Sequence, residues 1–300
     1  METHDVRANG ITFAYRELGP ADGPLALCLH GFPDTASTWR HLMPVLADAG
    51  FRVVAPWLRG YPPTEIPHER RVDPDVLAAD VNALHRALGG DRDAVVVGHD
   101  WGAIAAMRAA AAAPERWRRL ATLAVPPERI LAGAKVDGRQ AVRSRYALAA
   151  LVPGAEHRLL AGDATGFRRL WRRWSPGYEP TDHDLVPLRE ALAVPGAARA
   201  MLAYYRGYAP AVLSRRALSS RMALPPQPHL VLHGRQDGCI GVEWAEAAVG
   251  RLPHPSSRVE VVDGAGHFLH LEQPEQVGAL IRAHLLARGS APSGAAPSRP

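Results

Sequence analysis

An aspartate stands where a short apolar run of the sequence ends in a glycine-rich turn. Val-Val-Val at 95–97 leads into Gly-His-Asp-Trp-Gly at 98–102, and an alanine-rich stretch follows directly. This pattern predicts a buried strand, a sharp turn at Asp100 and a helix that begins near Trp101. A carboxylate presented at such a turn can displace a leaving group at a saturated carbon and form an alkyl ester. Serine, the usual occupant, would instead be acylated by an ester or amide substrate.

Two glycines flank this aspartate, and their spacing supports the turn. Gly98 and Gly102 each stand two residues from Asp100, and a Cβ at either position would collide with neighbouring backbone in so tight a turn. The free N–H groups and the positive dipole end of the following helix favour the ionised carboxylate. An ordinary loop with a helix-capping aspartate has the same local pattern, so the role of Asp100 depends on the rest of the chain.

Groups that could hydrolyse an ester on Asp100 occur later in the chain. Hydrolysis needs a general base and a group that orients the base. His267 lies in the glycine-rich stretch 263–268 after the last strand-like run, and Asp237 closes the stretch 233–237 after the preceding run. Each could be an ordinary loop histidine or turn aspartate. Their order along the chain, nucleophile, acid and then base, each after a strand, favours a catalytic triad.

A tetrahedral intermediate at the esterified carboxyl carbon would need hydrogen-bond donors. The backbone N–H groups of Phe32 and Trp101 are the candidates, because one follows an apolar run in His-Gly-Phe-Pro and the other follows the nucleophile. Each donor could stabilise the transition state by roughly 3 kcal/mol. The bond between Phe32 and Pro33 is a candidate for a cis peptide. We expect His30 and His99, beside these two turns, to be structural.

Alternating strands and helices must hold these groups in place. Runs of strand character occupy 11–16, 25–29, 52–55, 94–98, 120–125, 229–233 and 258–262. The clearest helix covers 73–88, with Asp73 as its cap, Pro74 in its first turn and Gly-Gly after its end. Continuous apolar runs between helices are typical of parallel strands buried on both faces, so the sequence predicts an α/β fold with a mostly parallel sheet.

The sequence changes character between 128 and 224. Strand-like runs disappear there, and aromatic residues, leucine and arginine recur at helical spacing between Pro-Gly breaks. We therefore predict a helical cap over 128–224, inserted into a core formed by 1–127 and 225–288. The tail, 289–300, is rich in Ser, Pro, Gly and Ala and is predicted to be disordered, because it cannot bury apolar area.

Composition limits the class of protein. The 300 residues carry a formal net charge of +5, with Lys135 as the single lysine and two cysteines, Cys28 and Cys239. Neither a secretory leader nor an apolar run of membrane-spanning length is evident, so a cytoplasmic protein, monomeric or homodimeric, is expected. The arginine-rich stretch 168–174 lacks any nucleic-acid motif and is expected to be a solvated helix face. Neither a nucleic acid nor a membrane is therefore an expected partner.

Taken together, these motifs resemble those of epoxide hydrolases of the α/β-hydrolase fold, a family related to haloalkane dehalogenases. The resemblance covers 10–288 and rests on His-Gly-x-Pro, Gly-x-Asp-Trp-Gly, the acid after the penultimate core strand, and Gly-x-Gly-His. It implies a mostly parallel sheet flanked by helices, with an inserted helical cap. It also implies that an epoxide is opened to a vicinal diol through a covalent alkyl ester on Asp100, without a metal or an organic cofactor.

The resemblance further implies two cap tyrosines that donate hydrogen bonds to the epoxide oxygen. Tyr205, directly before Arg206, matches the second tyrosine of the family. Tyr146 stands eight residues before Gly154 of a Pro-Gly pair and matches the first, although Leu-Val at 151–152 replaces the polar residue often seen there. Opening an epoxide produces an alkoxide, and a phenol with a pKa near 10 can donate the proton that this poor leaving group needs. Either tyrosine could instead serve cap packing.

Aromatic residues in the cap indicate the kind of substrate. Trp171 and Trp174 predict an apolar or aromatic substrate pocket, although a helix that contains tryptophan can equally serve packing alone. The expected substrate is therefore a small apolar or aromatic epoxide.

Three other functions have to be compared with epoxide hydrolysis. A haloalkane dehalogenase uses the same triad, but its halide needs a second N–H donor, often from Asn at the position of Phe32, and Trp171 or Trp174 would have to replace it. A non-enzymatic binding module of this fold generally loses a triad member, whereas all three are present. A serine esterase would require serine at position 100.

Overall fold

One sheet of eight strands organises the computed structural model, which describes residues 2–68, 72–133, 138–160, 165–213 and 224–287. The strands are β1 (Thr3–Ala8), β2 (Ile11–Leu18), β3 (Leu25–Leu29), β4 (Arg52–Pro56), β5 (Val95–His99), β6 (Arg119–Leu123), β7 (His229–Gly234) and β8 (Arg258–Val262). Their spatial order is β1-β2-β4-β3-β5-β6-β7-β8. The pairs β1–β2 and β2–β4 are antiparallel, and all other neighbours are parallel. The predicted mostly parallel sheet is confirmed.

Seven of these strands lie where the apolar runs predicted them, with ends that differ by two residues at most. Strands β3, β5, β6 and β7 are buried along their whole length, as expected for parallel strands covered on both faces. Strand β1 was not predicted, because most of its residues are exposed and polar. The available signal was the Asn9–Gly10 pair, whose positive φ angles of 43° and 85° form the hairpin turn into β2.

Helices cover both faces of the sheet and fill the segment between β6 and β7. They are α1 (Leu42–Ala47), α2 (Pro74–Ala87), α3 (Trp101–Ala112), α4 (Glu128–Gly133), α5 (Gly138–Arg143), α6 (Arg145–Leu151), α7 (Ala155–Leu160), α8 (Thr165–Trp174), α9 (Asp182–Ala193), α10 (Ala197–Leu213), α11 (Val242–Glu246), α12 (Leu269–Glu272) and α13 (Pro274–Leu286). Short 3-10 helices cover Ala36–Arg40 and Pro114–Arg116. The Asp73 carboxylate caps α2 by accepting from the N–H groups of Asp75 and Val76, as predicted.

Seven helices, α4 to α10, stand where the sequence predicts a cap, and no strand is seen among the described residues of that segment. The predicted limits of the cap, 128 and 224, stay a prediction. The predicted disordered tail, 289–300, lies outside the described residues. Within the arginine-rich stretch of α8, Arg169, Arg172 and Arg173 are exposed, which confirms a solvated helix face. Nowhere in the described ranges does a helix have the length and hydropathy needed to cross a bilayer.

The parallel strands bring the predicted site residues to one edge of the sheet, because their carboxyl ends point the same way. Each of these residues lies in the loop that follows a strand: Phe32 after β3, Asp100 after β5, Asp237 after β7 and His267 after β8.

The turn between β5 and α3 is packed as tightly as its glycines predict. A Cβ on Gly98 would overlap the carbonyl of Gly102, and a Cβ on Gly102 would overlap the carbonyl of Leu29 in the neighbouring strand. Both obstacles are backbone atoms, which cannot rotate away as a flexible side chain can. The glycines therefore let the helix begin directly against the sheet.

Replacing Gly102 with Ala should destabilise the protein by roughly 3 kcal/mol or more, because the added methyl group forces the backbone of α3 and β3 apart. The free energy of unfolding, measured from a urea transition, checks this expectation. Gly166→Ala in α8 is the matched control, since nothing lies within 4 Å of the position its Cβ would take, and it should leave stability unchanged or raise it slightly. Equal stabilities for the two variants would contradict the packing argument.

Candidate active site

Asp100 occupies the strained turn at the start of α3. Its backbone has φ 51° and ψ −117°, a conformation that residues other than glycine rarely adopt. The side chain is buried, and its Oδ1 accepts a hydrogen bond of 2.8 Å from the backbone N–H of Phe32. Gly31 makes this approach possible, because a Cβ there would overlap the Asp100 carboxylate. One carboxylate oxygen is thus held by backbone, and Oδ2 is left for chemistry.

His267 lies between two carboxylates. Its Nδ1 donates to Oδ2 of Asp237 at 2.9 Å, and its Nε2 faces Oδ2 of Asp100 at 3.6 Å. The other oxygen of Asp237 accepts from the backbone N–H groups of Cys239 and Ile240, at 2.7 and 2.9 Å. These two bonds fix the Asp237 carboxylate, which in turn fixes the imidazole with Nε2 towards Asp100.

The charges of Asp100, Asp237 and His267 influence one another, and the result is an ion pair between His267 and Asp100 in the resting state. Burial acts to lower the pKa of His267, but the carboxylates of Asp237 and Asp100 outweigh it and raise that pKa to about 10. Burial acts to raise the pKa of Asp100, yet hydrogen bonding and charge from His267 bring it below its usual value. At neutral pH the site therefore holds an imidazolium against an ionised Asp100.

Of the two predicted oxyanion donors, Phe32 already forms a hydrogen bond with the nucleophile, and Trp101 is placed at the start of α3. Phe32 donates its N–H to Asp100, and the Phe32–Pro33 peptide bond is cis. Trp101 is the first residue of α3, where a backbone N–H has no acceptor within the helix. His30 accepts from the N–H of Leu58 through Nε2, and His99 donates from Nε2 to the carbonyl of His267. Both histidines thus support the loops around the site.

The cap tyrosines lie close to the nucleophile, and only one of them has a free hydroxyl in the described part of the chain. The rings of Tyr146 and Tyr205 are 5.7 Å apart, and the Tyr205 ring lies 5.2 Å from that of Phe32. The Tyr205 hydroxyl is buried and forms no hydrogen bond of normal geometry with the described residues, although the Trp101 and Tyr146 side chains face its oxygen. The hydroxyl of Tyr146 is 3.2 Å from the sulfur of Cys239. Burial, reinforced by the charge of Asp100, raises the pKa of both tyrosines well above 10, so both stay protonated.

The two other tyrosines of α10 differ from Tyr205, because their hydroxyls are hydrogen-bonded. Tyr204 donates to the carbonyl of Arg59, and Tyr208 donates to the Glu128 carboxylate, each at 2.8 Å. Both are therefore engaged in packing, although they share α10 with Tyr205. The sequence alone could not show which of Tyr204, Tyr205 and Tyr208 has a hydroxyl without a hydrogen bond.

A cavity of 260 Å³ opens between the tyrosines and Phe32. Its remaining lining comes from small and apolar residues of the cap helices: Ala149, Ala150, Ala155, Gly166, Phe167, Leu170 and Leu202. Trp171 and Trp174, predicted to line the pocket, are fully buried and do not line this cavity. The Trp171 ring stacks on Phe268 at 3.7 Å, and the Trp174 ring packs against His267 and Tyr146.

The spacing of the aromatic residues in α8 explains why the sequence misplaced the two tryptophans. Phe167, Leu170, Trp171 and Trp174 form one face of α8, at i, i+3, i+4 and i+7. Phe167 and Leu170 line the cavity, whereas Trp171 and Trp174, nearer the end of the helix, pack on Phe268 and His267. Heptad-like spacing locates a face but not what the face meets. Sequence reasoning also missed Cys239 as a neighbour of the site, because nothing in a lone buried cysteine signals contact with a tyrosine hydroxyl 93 residues earlier.

Two groups of buried side chains in the described ranges have the spacing to hold a metal ion. One consists of Asp237, Cys239 and His267 and so shares two residues with the candidate triad. The other consists of Asp34, His99 and His270, and the ring centre of His99 lies 4.8 Å from that of His267.

Comparison with known proteins gives the family. The model of the alpha/beta hydrolase fold family matches residues 24–274. The chain is 30% identical to epoxide hydrolase A of Mycobacterium tuberculosis, covering 92% of this chain and 94% of that protein. It is 29% identical to the AB hydrolase superfamily protein YfhM of Bacillus subtilis, covering 93% and 96%. The chain therefore belongs to the α/β hydrolase fold family.

Solved structures agree with this assignment. A variant of an epoxide hydrolase from Bacillus megaterium, complexed with its product, a naphthyloxy-propane-1,2-diol, superposes with a TM-score of 0.81 and 26% identity. The match covers 94% of this chain and 99% of that one. The protein is accordingly a hydrolase with an eight-stranded, mostly parallel sheet, and its relatives include epoxide hydrolases.

Proposed function

We propose that the protein opens epoxides to vicinal diols through an alkyl ester on Asp100. The observation that carries this proposal is the Tyr205 hydroxyl, which is protonated, buried and without a partner among the described residues, beside Tyr146 and next to the nucleophile. A leaving oxygen that stays attached to the substrate needs such a donor, because an alkoxide leaves poorly unless it is protonated. The helices α4 to α10, which supply both tyrosines, act as the cap.

In the first half-reaction, Oδ2 of Asp100 attacks an epoxide carbon. A new C–O bond forms to Oδ2, the epoxide C–O bond breaks, and Tyr146 and Tyr205 hydrogen-bond to the developing alkoxide. The negative charge of Asp100 disappears in the ester, so the main nearby charge that raises the pKa of His267 through Nε2 is lost. His267 releases its proton as the alkoxide takes one up, and protons are conserved.

In the second half-reaction, neutral His267 removes a proton from water, and the hydroxide attacks the carboxyl carbon of Asp100. The carbonyl oxygen, Oδ1, already accepts from Phe32, and the N–H of Trp101 is the second donor. Collapse of the tetrahedral intermediate expels the diol oxygen, which takes the proton of the new carboxyl group. The imidazolium and the Asp100 carboxylate are thereby restored.

A single turnover in water labelled with ¹⁸O tests this route. With enzyme in excess over styrene oxide, the diol should form without label, because its new oxygen comes from Oδ2 of Asp100. The label should appear in the peptide that contains Asp100. A labelled diol from the first turnover would show direct attack by water and exclude the ester. Absence of any diol over a panel of terminal and aryl epoxides would exclude the function itself.

Dehalogenation of a haloalkane is the second candidate function, and one observation favours it. The indole N–H of Trp174 is buried with no partner among the described residues, so it could hold a halide. The other candidate, Trp171, donates its N–H to the carbonyl of Pro33 at 3.1 Å and is engaged. Halide release from a panel of 1-haloalkanes, assayed beside diol formation, distinguishes the two leaving groups.

Replacing Tyr205 with Phe should lower kcat/KM for epoxides by roughly 10²-fold, because the alkoxide loses a donor in the transition state. Single-turnover rates of ester formation should fall equally. Tyr204→Phe is the matched control on the same helix: it removes a hydroxyl bonded to the Arg59 carbonyl and should cost about 1 kcal/mol of stability with turnover retained. Equal turnover in the two variants would remove Tyr205 from the mechanism.

A further inference from the structure

Three buried polar side chains lie close together next to the candidate active site. Asp34 lies in the loop after β3, His99 ends β5, and His270 lies in α12. Their exposed fractions are 2%, 0% and 3%. One ligand atom from each residue lies within 4.8 Å of the other two. The ring centres of His99 and His270 are 4.6 Å apart.

Each of these residues has an atom without a hydrogen-bond partner in the described part of the chain. The atoms are Oδ2 of Asp34, Nδ1 of His99 and Nδ1 of His270. Buried polar atoms without a partner are destabilising and rare in folded proteins, and these three belong to residues that lie side by side. Something that satisfies all three together is therefore expected between them.

The bonds on the other side of each residue leave these atoms available as ligands. His99 donates from Nε2 to the carbonyl of His267, so its proton is on Nε2 and its Nδ1 carries a lone pair. The Nε2 of His270 is bonded to the hydroxyl of Thr38, and Oδ1 of Asp34 accepts from the N–H of Thr35. Metal-binding histidines and carboxylates are held by outer partners of this kind.

Charge and ligand type also fit a cation. His99 donates its Nε2 proton to a carbonyl and so presents an unprotonated Nδ1 to a ligand. The Asp34 side chain is buried and forms no ion pair with any of the described residues. The guanidinium of Arg40 pairs instead with the carboxylate of Asp184, at 2.7 Å. Two imidazoles and one carboxylate are ligands that Zn²⁺ prefers.

We propose that Asp34, His99 and His270 bind a divalent transition metal ion such as Zn²⁺, through Oδ2 and the two Nδ1 atoms. The ion takes no part in the reaction. It joins the three elements that carry the oxyanion donor Phe32, the nucleophile and the base His267, and so acts as a positioning group. With zinc bonds of about 2.0–2.1 Å in a tetrahedral site, ligand atoms that now lie up to 4.8 Å apart would have to approach one another by roughly 1.5 Å at most.

Metal analysis of the full-length protein tests the proposal. Protein produced in zinc-supplemented medium and passed through EDTA should retain equimolar zinc, measured by inductively coupled plasma mass spectrometry. His270→Gln and Asp34→Asn should each lose it. His284→Gln is the matched control: His284 is also buried, with an Nδ1 that has no partner among the described residues, but it bonds the carbonyl of Leu120 at the opposite edge of the sheet. It should retain the zinc.

Cys239→Ala identifies which of the two groups holds the ion. It removes a ligand from the group that contains Asp237 and leaves the proposed site intact, so zinc should be retained. Loss of zinc in Cys239→Ala would move the metal to the triad and overturn the proposal. The proposal would also be overturned if wild-type protein were isolated without zinc and showed no rise in melting temperature on zinc addition. A water molecule would then fill the space between the three residues.

A second measurement covers variants that fail to fold. Wild-type protein loaded with Co²⁺ in place of zinc should show the visible absorption of a tetrahedral nitrogen and oxygen site. The conservative variant Asp34→Glu keeps a carboxylate and should retain part of that signal, which Asp34→Asn should lose. A Co²⁺ spectrum unchanged in Asp34→Asn would exclude Asp34 as a ligand and overturn the site as proposed.

Discussion

Replacing His267 with Gln should stop the protein after its first chemical step, with the substrate bonded to Asp100. The glutamine has no basic nitrogen that can take a proton from water, so the ester forms and persists. Steady-state turnover of epoxides should fall by roughly 10⁴-fold. Intact-protein mass spectrometry should show the chain plus the mass of one substrate, and peptide mapping should place that mass at Asp100.

His183→Gln, an exposed histidine of α9, is the matched control and should turn over normally without a mass increase. If His267→Gln retained wild-type turnover, the base would have to be another group. If it lost turnover without accumulating the ester, the first half-reaction would also depend on His267.

The pH dependence of ester formation gives this variant a second, independent readout. Asp100 must be ionised to attack, and in the wild type the His267 cation holds the pKa of Asp100 below its usual value against the opposing effect of burial. In His267→Gln that cation is gone, so burial prevails and the pKa of Asp100 rises. The rate of ester formation should therefore decline at a higher pH in the variant as the solution is acidified. Rapid-quench single turnovers between acidic and neutral pH measure both curves, and coincident curves would contradict the charge coupling.

Replacing Asp100 with Ala should remove both half-reactions. No other described carboxylate stands in the turn with an oxygen held by the Phe32 N–H, so epoxide turnover should fall by roughly 10⁴-fold or more. Incubation with substrate should leave the protein mass unchanged. Diol formation, followed by gas chromatography, is the measurement.

Asp93→Ala is the control for Asp100→Ala, because Asp93 is exposed and 3.9 Å from Arg118 in a surface pair. Such a pair contributes little, and activity should be retained. Diol formation by Asp100→Ala at a rate near the wild type would mean that water attacks the epoxide directly and that Asp100 is not the nucleophile.

The sequence predicted the parts of the fold that depend on local pattern. Continuous apolar runs located the parallel strands, and the glycines around Asp100 located the turn, since the chain there can follow only a few backbone paths. The placement of Asp237 and His267 followed from strand order, because parallel strands end at one edge. These inferences need only nearby residues and topology.

Contacts between cap and core could not be predicted in the same way. Whether Tyr204 or Tyr205 keeps a free hydroxyl depends on how α10 is rotated against the core, and helical spacing leaves that rotation open. The burial of Trp171 and Trp174 depends on which part of the core the last turn of α8 meets, since Phe167 and Leu170 on the same helix face line the cavity. The meeting of Asp34 with His270 joins residues 236 positions apart, and no local pattern records it.

The support for the nucleophile has a consequence for how this chain could change its chemistry. Gly31, Gly98 and Gly102 shape the turn, and the N–H of Phe32 is fixed by backbone, so none of these features depends on a carboxylate at position 100. The scaffold presents whichever side chain occupies that position to the same base and the same donor. Reactivity is thus encoded in one exchangeable residue, while the precision of its placement depends on the two loops after β3 and β5, which must be inherited together.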